Sequence, residues 1–263
     1  MITWIASYPK SGNTWVRSFL TNYLSDNDDF DFNQLKKIDK FPRGSLYKEL
    51  NVNENDFNDI ASNWIPMQIF LNLKKKITYL KTHNAMMTIN NFKFTDSINT
   101  NGFIYLVRDP RDVIISYASH TDQSIEETLE IMTSNFSRTT EDKTIMSSWS
   151  LHYNSWKNSP FEKIIIRYED LIKKPEIIFY NIIVFLNKIN ELPIKKDKIN
   201  KAIENTNFDK LKKLEQKEGF AEAKKNIFFR EGKVNQWKTK LDKNIIKKIE
   251  NSFFKEMKEL NYL

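Results

Sequence analysis

A lysine, a serine and a glycine stand close together in the stretch YPKSGNTW, residues 8–15. The mainly apolar residues 2–7 (ITWIAS) before it predict a short buried strand, and the apolar spacing of three to four after it predicts a helix over 14–24. Backbone N–H groups at the start of a helix have no intrahelical partner and lie at the positive end of its dipole. Gly12 permits close backbone approach, and Lys10 adds a positive charge on a flexible stem. This stretch therefore predicts a binding site for a phosphate-like anion.

The same stretch differs from the Walker A loop of nucleoside triphosphatases, G-x-x-x-x-G-K-[ST]. It lacks the leading glycine, and Lys10 precedes Gly12 where the Walker lysine follows its glycine. A strand–glycine–helix fragment can also be an ordinary turn with a surface lysine. The loop alone leaves both interpretations open.

A histidine provides a second signal. The run Ile77–Leu80 predicts a strand, and Lys81-Thr82-His83 follows it directly. In open α/β sheets, ligands bind at the carboxyl ends of strands. An imidazole there can accept a proton near neutral pH, although a lone histidine at a strand end is also common as a structural residue.

An arginine follows a third strand. The apolar run 103–107 predicts a strand covered on both faces, and RDPRD comes next, at residues 108–112. One interpretation is a Walker B strand with Asp109 on magnesium, which predicts a kinase or nucleoside triphosphatase. The position directly after the run is Arg108, however, and its planar guanidinium suits a phosphate monoester. On that interpretation Asp109 and Asp112 cap or brace the turn.

These stretches together resemble the cytosolic-type sulfotransferases, which use 3′-phosphoadenosine 5′-phosphosulfate (PAPS). Residues 8–15 are similar to the family's phosphosulfate-binding loop, Y-P-K-S-G-T-T-W. Lys81-Thr82-His83 is similar to its K-[ST]-H, and Arg108-x7-Ser116 to its 3′-phosphate segment. Three later stretches are also similar: Tyr168-Glu169-Asp170-Leu171-x3-Pro175 to Y-E-D-L-x-x-x-P, Thr206-Asn207-Phe208 to T-x-F, and residues 230–238 to R-K-G-x-x-G-D-W-K.

The last of these stretches departs from the family pattern. Arg230, Gly232, Trp237 and Lys238 match, but Glu231 replaces a lysine and Asn235-Gln236 replaces Gly-Asp. A carboxylate there repels a phosphate unless it points outward, or unless Lys233 compensates for it.

The resemblance implies a transferase that moves a sulfuryl group from PAPS to an acceptor hydroxyl or amine, without a metal. It implies His83 as the base, Lys10 as the group that neutralises the leaving oxygen and Lys81 as a ligand of the sulfuryl oxygens. It implies that Ser116 holds Lys10 away from the donor until the acceptor arrives. The implied donor-binding residues are Ser11, Gly12, Asn13 and Thr14 with Lys10 at the 5′ end, Arg108, Ser116, Arg230 and Gly232 around the 3′-phosphate, and Trp15, Tyr168, Thr206 and Phe208 around the adenine.

The alternation of predicted strands and helices indicates one α/β domain over residues 1–263. The expected architecture has three layers, α/β/α, around a mostly parallel sheet, similar to P-loop proteins. Trp149, Tyr153 and Trp156 are predicted to belong to the core. His120 and His152 are predicted to be structural core residues in the same way, with no partner identified.

Composition limits the class of protein. The 263 residues contain no cysteine, which excludes disulfides and thiolate metal sites, and the cytoplasm is the expected compartment. Met1 leads directly into the first strand, so neither a signal peptide nor a membrane span is expected. The net charge of +7 lies mostly in lysine-rich runs of the last third, 195–225 and 238–258, which we interpret as solvated helix faces. A nucleic-acid or polyanion binding module without activity is the alternative to an enzyme.

The sequence does not identify the acceptor, which can be a small molecule, a saccharide or a lipid. The expected acceptor pocket is built from the stretches 41–66, 85–101 and 123–149. No nucleic-acid partner is expected, and the oligomeric state is undetermined.

Overall fold

Five parallel strands form the centre of the protein in this computed structural model, which describes residues 1–25, 29–73, 77–139, 144–223 and 226–263. Their order across the sheet is β2-β3-β1-β6-β7. The strands are β1 (Ile2–Ser7), β2 (Asp39–Lys40), β3 (Thr78–Thr82), β6 (Thr100–Val107) and β7 (Glu162–Arg167), and β4 (Thr88–Ile89) forms a separate antiparallel hairpin with β5 (Phe92–Lys93).

Helices cover both faces of this sheet. They are α1 (Asn13–Tyr23), α2 (Gly44–Glu49), α3 (Phe57–Ser62), α4 (Trp64–Leu73), α5 (Pro110–Thr121), α6 (Ile125–Thr133), α7 (Trp149–Lys157), α8 (Tyr168–Lys173), α9 (Pro175–Asn190), α10 (Lys196–Asn205), α11 (Phe208–Glu218), α12 (Trp237–Lys240), α13 (Lys243–Ser252) and α14 (Phe254–Glu259), with a 3-10 helix at Phe32–Lys37. In the described parts of the chain, no helix is both long enough and apolar enough to cross a lipid bilayer.

The alternation of side chains along the central strands produces two hydrophobic cores. On β6, Phe103 and Tyr105 pack into one core, and Ile104 packs into the other. The first core includes Trp149 and residues of α4, α5 and α13, and the second includes residues of α1, α9 and α10. Because both faces are covered, the central strands β1 and β6 are buried along nearly their whole length, as expected for a parallel sheet. The three-layer α/β/α prediction is confirmed.

Most predicted elements are present, with shifted ends. The structure has β1 at the predicted residues, whereas β3 continues past Leu80 to Thr82, which makes Lys81 a strand residue. The two-residue strand β2 was not predicted, because a strand of that length has no periodicity. The predicted loop at 85–101 contains the β4–β5 hairpin.

Several predicted segments reach beyond the residues that the structure describes. The sequence also predicts an acidic connector over 26–32 and a helix over 66–76, of which positions 26–28 and 74–76 lie outside the described residues. Positions 140–143 of an acceptor stretch and 224–225 of a lysine run lie outside them as well. Trp149, Tyr153 and Trp156 are buried in the first core, as predicted.

Candidate active site

A cavity of about 880 Å³ lies at the carboxyl edge of the sheet. Each of the five strands contributes to its wall at or just after its last residue: Lys10 after β1, Lys40 in β2, Lys81 and His83 at the end of β3, Arg108 after β6 and Tyr168 after β7. The predicted site residues that line it are Lys10, Gly12, Asn13, Thr14, Trp15, Lys81, His83, Arg108, Ser116, Tyr168, Phe208, Arg230 and Gly232. This edge is where ligands bind in open α/β sheets.

The first loop leaves the start of α1 open to this cavity. Gly12 precedes the helix with a φ of 96°, and no side chain caps the first turn. A Cβ at Gly12 would lie 2.7 Å from Cδ2 of Tyr168, so only glycine fits against that ring. Uncapped N–H groups at a helix start can bind the oxygens of an anion.

Several polar atoms of residues 8–15 are buried without a hydrogen-bond partner among the described residues, including the Oγ atom of Ser11 and the Oδ1 atom of Asn13. The amide group of Asn13 donates to the Ile5 carbonyl at 3.0 Å and to the Ser7 hydroxyl at 3.2 Å, which ties the loop to β1. Buried polar groups normally find a partner, so these atoms fit a loop that is completed by a polar ligand.

The ammonium group of Lys10 lies 3.6 Å from the centre of the Phe228 ring. Burial lowers the pKa of Lys10 to about 7, and the positive charges of Lys81 and Arg108 contribute to this shift. Lys10 is therefore placed where an anionic ligand would be needed to keep its full charge.

The imidazole of His83 is held by the end of β1. Its Nδ1 atom lies 2.8 Å from the Ser7 carbonyl oxygen and 3.3 Å from the Ser7 hydroxyl. A carbonyl oxygen only accepts, so Nδ1 carries the proton and Nε2 has a free lone pair. Burial, then the charge of Lys81, holds the pKa of His83 well below its usual range. The ring is a neutral base at neutral pH.

His152 holds the backbone of His83 in place through a hydrogen bond. Its Nε2–H group donates to the His83 carbonyl oxygen at 3.1 Å, and the Tyr105 hydroxyl donates to its Nδ1 at 2.8 Å. Burial lowers the pKa of His152 to about 3. Its structural role is as predicted, and its partners are Tyr105 and the backbone of His83. His120 lies in the cavity wall with its ring against Phe228, so it is not a core residue.

Lys81 points into the cavity wall and pairs with a residue that the sequence did not single out. Its ammonium group lies 2.7 Å from Oε2 of Glu222, and Oε1 of that carboxylate lies 2.6 Å from the guanidinium of Arg17. Burial disfavours the charge on Glu222, but Lys81 and Arg17 outweigh it and hold the pKa of this carboxyl below its usual value.

Arg108 joins the first loop to the C-terminal loop. Its guanidinium donates to the carbonyls of Lys10 at 3.2 Å and Lys233 at 3.0 Å, and it lies 4.4 Å from the centre of the Tyr168 ring. Its Nε atom is buried without a partner in the described structure. These carbonyls carry no net charge, so the positive charge of Arg108 is available to an anion.

The two aspartates after β6 are structural, as predicted. Asp109 caps α5 by accepting from the Arg111 N–H at 2.9 Å. Asp112 accepts from the N–H groups of Asn235 at 2.7 Å and Trp237 at 3.0 Å. Asp112 therefore holds the C-terminal loop against α5.

The C-terminal loop contributes Arg230 and Gly232. Arg230 donates to the Ser119 hydroxyl at 2.6 Å, while Ser116 lies in the same cavity wall. Gly232 has a φ of 62°, and a Cβ there would lie 2.6 Å from the Phe208 ring. The C-terminal loop therefore packs directly against the Phe208 ring, and the two form one part of the cavity wall.

Glu231 forms an ion pair with Lys240. This contact holds the pKa of Glu231 below its usual value, and Lys233 adds a weaker effect. The compensating charge is therefore mainly that of Lys240, where the sequence had indicated Lys233.

Two predicted residues do not line the cavity. Ser11 is fully buried within the first loop, and Thr206 is buried at the end of α10 with its hydroxyl donating to the Ala202 carbonyl at 2.7 Å. Of the three stretches expected to form the acceptor pocket, only 123–149 reaches the cavity, through Gln123, Ile131, Arg138 and Thr139. The described residues contain no group of three or more acidic or histidine side chains that could hold a metal ion.

Sequence reasoning missed Arg17, Lys40, Glu222 and Phe228. Arg17 lies one position after a buried residue of the amphipathic helix, and Glu222 and Phe228 lie in a stretch without periodicity. No local pattern distinguishes them from surface residues. Only the fold brings Lys40, Glu222 and Phe228 to the cavity and places Arg17 against Glu222.

Comparison with known proteins agrees with this geometry. The chain is 24% identical to the mouse protein named sulfotransferase 1 family member D1, over 97% of this chain and 83% of that protein. It is 21% identical to rabbit amine sulfotransferase, over 97% and 80%. The crystal structure of mouse sulfotransferase SULT7A1 complexed with PAP superimposes with a TM-score of 0.64 at 18% identity, over 97% of this chain and 84% of that one. The family model for the sulfotransferase domain matches residues 2–261. The chain belongs to the sulfotransferase domain family.

Proposed function

We propose that this protein transfers a sulfuryl group from PAPS to a hydroxyl or amine of an acceptor. One observation carries the proposal: a single cavity is lined by an open helix start, by Arg108 and Arg230, and by Lys10 and His83. An adenylate with phosphates at its 5′ and 3′ positions needs two separate cationic sites, and a transfer reaction needs a base near one of them.

The donor fits the residues that line the cavity. Backbone N–H groups from Gly12 to Thr14, together with Ser11, would hold the 5′-phosphate, and the partnerless Ser11 hydroxyl supports this. Arg108, Ser116 and Arg230 would hold the 3′-phosphate. Trp15, Tyr168 and Phe208 would frame the adenine, and Thr206 would act only from beneath this wall.

The donor supplies the sulfuryl group, and negative charge develops on its bridging oxygen as the sulfur–oxygen bond breaks. Lys10 neutralises that charge. The acceptor oxygen or nitrogen forms the new bond to sulfur, and its proton passes to the free Nε2 of His83. Lys81 binds the sulfuryl oxygens. His83 and Lys81 are already oriented by the protein, through Ser7 and Glu222, which reduces the reorganisation needed in the transition state.

The proposed control of Lys10 by Ser116 needs a movement. In this structure the Lys10 ammonium lies against the Phe228 ring, and no hydrogen bond links it to Ser116 among the described residues. Transfer of Lys10 from this aromatic contact to the donor is part of the proposal.

A kinase or triphosphatase has less support. The Walker B interpretation needs Asp109 at a magnesium ion, whereas Asp109 caps α5 and binds the Arg111 guanidinium at 2.7 Å. The displaced lysine of the first loop also argues against that class.

Labelled PAPS incubated with panels of phenols, alcohols, amines, saccharides and lipids tests the proposal. We expect one labelled product for each transfer, together with one equivalent of PAP, the donor that has lost its sulfuryl group. Binding of PAP without any product over the whole panel would support the non-catalytic alternative, and magnesium-dependent release of phosphate from ATP would support the kinase class. We also propose that residues 1–263 act as one catalytic domain in the cytoplasm.

A further inference from the structure

A carboxylate lies among the cations of the cavity wall. Glu222 follows α11, and its two oxygens contact different partners, the guanidinium of Arg17 at 2.6 Å and the ammonium of Lys81 at 2.7 Å. The side chains of Arg17 and Lys81 are only 4% and 7% exposed. The side chain of Glu222 is 32% exposed, so water screens these contacts in part, but the burial of both partners makes them stronger than contacts at an open surface.

Arg17 anchors this carboxylate. Its Nε donates to the Ile38 carbonyl at 3.1 Å and its second terminal nitrogen to the Leu35 carbonyl at 3.4 Å, so the guanidinium has a fixed position. One oxygen of Glu222 is bound there, and the other is presented to Lys81. In the described part of the chain, Glu222 is the one hydrogen-bond acceptor that reaches the Lys81 ammonium.

The other charged groups that act on Lys81 are cations from three elements: Arg17 on α1, Lys40 on β2 and Lys10 in the first loop. His83, on the same strand end, is neutral. Burial lowers the pKa of Lys81 to about 8, Glu222 opposes that shift, and Arg17 and Lys40 add to it. Without Glu222, both burial and repulsion favour the neutral amine.

We propose that Glu222 is a positioning residue for sulfuryl transfer, which keeps Lys81 as an ammonium ion and fixes it at the end of β3 that also carries His83. The inference rests on the proposed function, in which Lys81 binds the sulfuryl oxygens. A neutral Lys81 would bind those oxygens weakly.

The variant Glu222→Gln removes the negative charge of the Glu222 side chain and leaves its size and shape nearly unchanged. Its matched control is Glu162→Gln, since Glu162, on β7, forms an exposed ion pair with Lys188 of α9. We expect kcat of Glu222→Gln to stay within about threefold of wild type at pH 6.5 and its alkaline decline to begin about one pH unit lower. Glu162→Gln should follow wild type throughout. An equal loss of kcat at every pH would contradict the proposal, because a purely structural role predicts it.

Glu222 also acts on Lys10 through space, so the two lysines must be separated. Arginine keeps its charge at all these pH values, and the background Lys81→Arg removes titration at position 81. In that background we expect Glu222→Gln to shift the alkaline decline much less, because only the through-space effect of Glu222 on Lys10 remains. A shift of the same size there would assign the effect to Lys10 and overturn the proposal.

A readout without catalysis comes from NMR titration of protein labelled with ¹³C at the lysine ε-carbon. The Lys81 signal is assigned by its loss in Lys81→Arg. We expect its pKa to fall by about one unit in Glu222→Gln. An unchanged pKa would refute the role of Glu222. If wild-type protein sulfates no acceptor, the proposed function fails, while this titration still decides whether Glu222 holds the proton on Lys81.

Discussion

The Nδ1–H group of His83 donates to the carbonyl oxygen of Ser7 across 2.8 Å. This contact joins the ends of two adjacent strands, β1 and β3, and it fixes the tautomer that has a basic Nε2. The sequence alone does not distinguish a structural histidine from a base at this position. The contact with Ser7 gives His83 a defined tautomer, with the proton on Nδ1.

The variant His83→Ala should therefore lose the base and keep the donor site. We expect kcat to fall by about 10²- to 10⁴-fold, because general-base catalysis contributes that much. The affinity for PAP, measured by calorimetry, should change little and serves as the control. Because the pKa of His83 lies well below its usual value, wild-type kcat/KM should decline only well below pH 6.5. Activity near wild type in His83→Ala would remove His83 as the base.

Gly12→Ala tests the fit between the first loop and Tyr168. Alanine at a positive φ costs about 1–2 kcal/mol, and here its Cβ also meets the Tyr168 ring at 2.7 Å. We expect PAP binding to weaken by at least about tenfold. Gly219→Ala is the matched control, since Gly219 has a φ of 74° but no atom within 4 Å of a Cβ. Its cost should be the backbone strain alone, seen in urea unfolding. Equal behaviour of the two variants would contradict the role of the ring contact.

Lys10→Met should lower the transferase activity and raise the free energy of unfolding. Transfer should fall by about 10²- to 10³-fold, because the leaving oxygen loses its cation. The folded-state pKa of Lys10, about 7, lies below its unfolded value, so burying the charged form is unfavourable. Removing it should raise the free energy of unfolding by about 1–3 kcal/mol below pH 7. The gain should shrink as the pH rises from 7 towards 10, where wild-type Lys10 is neutral in the folded protein. Urea unfolding at pH 6 and pH 9 measures this, and an equal gain at both would contradict the burial of charge.

Lys240→Met should expose the charge of Glu231 to the donor. We expect PAP affinity to fall by about two- to fivefold at low salt, with a smaller loss at high salt. The double variant Glu231→Gln with Lys240→Met should return to the wild-type affinity, since no unpaired carboxylate remains. Calorimetry with PAP measures all three proteins. Wild-type affinity in the single variant would mean that the Glu231 charge does not reach the donor site.

The sequence predicts the parts of this site that depend on local pattern. Local sequence is enough to predict the buried strand β1, the glycine before α1 and the arginine after β6. The structure brings the ends of these segments to one cavity. The aspartates after β6 also follow from local capping chemistry.

The rest depends on contacts between distant residues. Glu222 meets Lys81 across 141 positions, and no periodicity marks either partner. Strand β2 is too short to have a pattern, yet it places Lys40 beside Lys81. The acceptor stretches were assigned because they match the family pattern only loosely, and packing directs two of them away from the cavity.

A crystal structure of the protein with PAP tests the central claim most directly. The account predicts the 5′-phosphate at the backbone N–H groups of Gly12 to Thr14, with the 3′-phosphate at Arg108 and Arg230. Density for PAP away from both groups, or no binding at millimolar PAP, would contradict it.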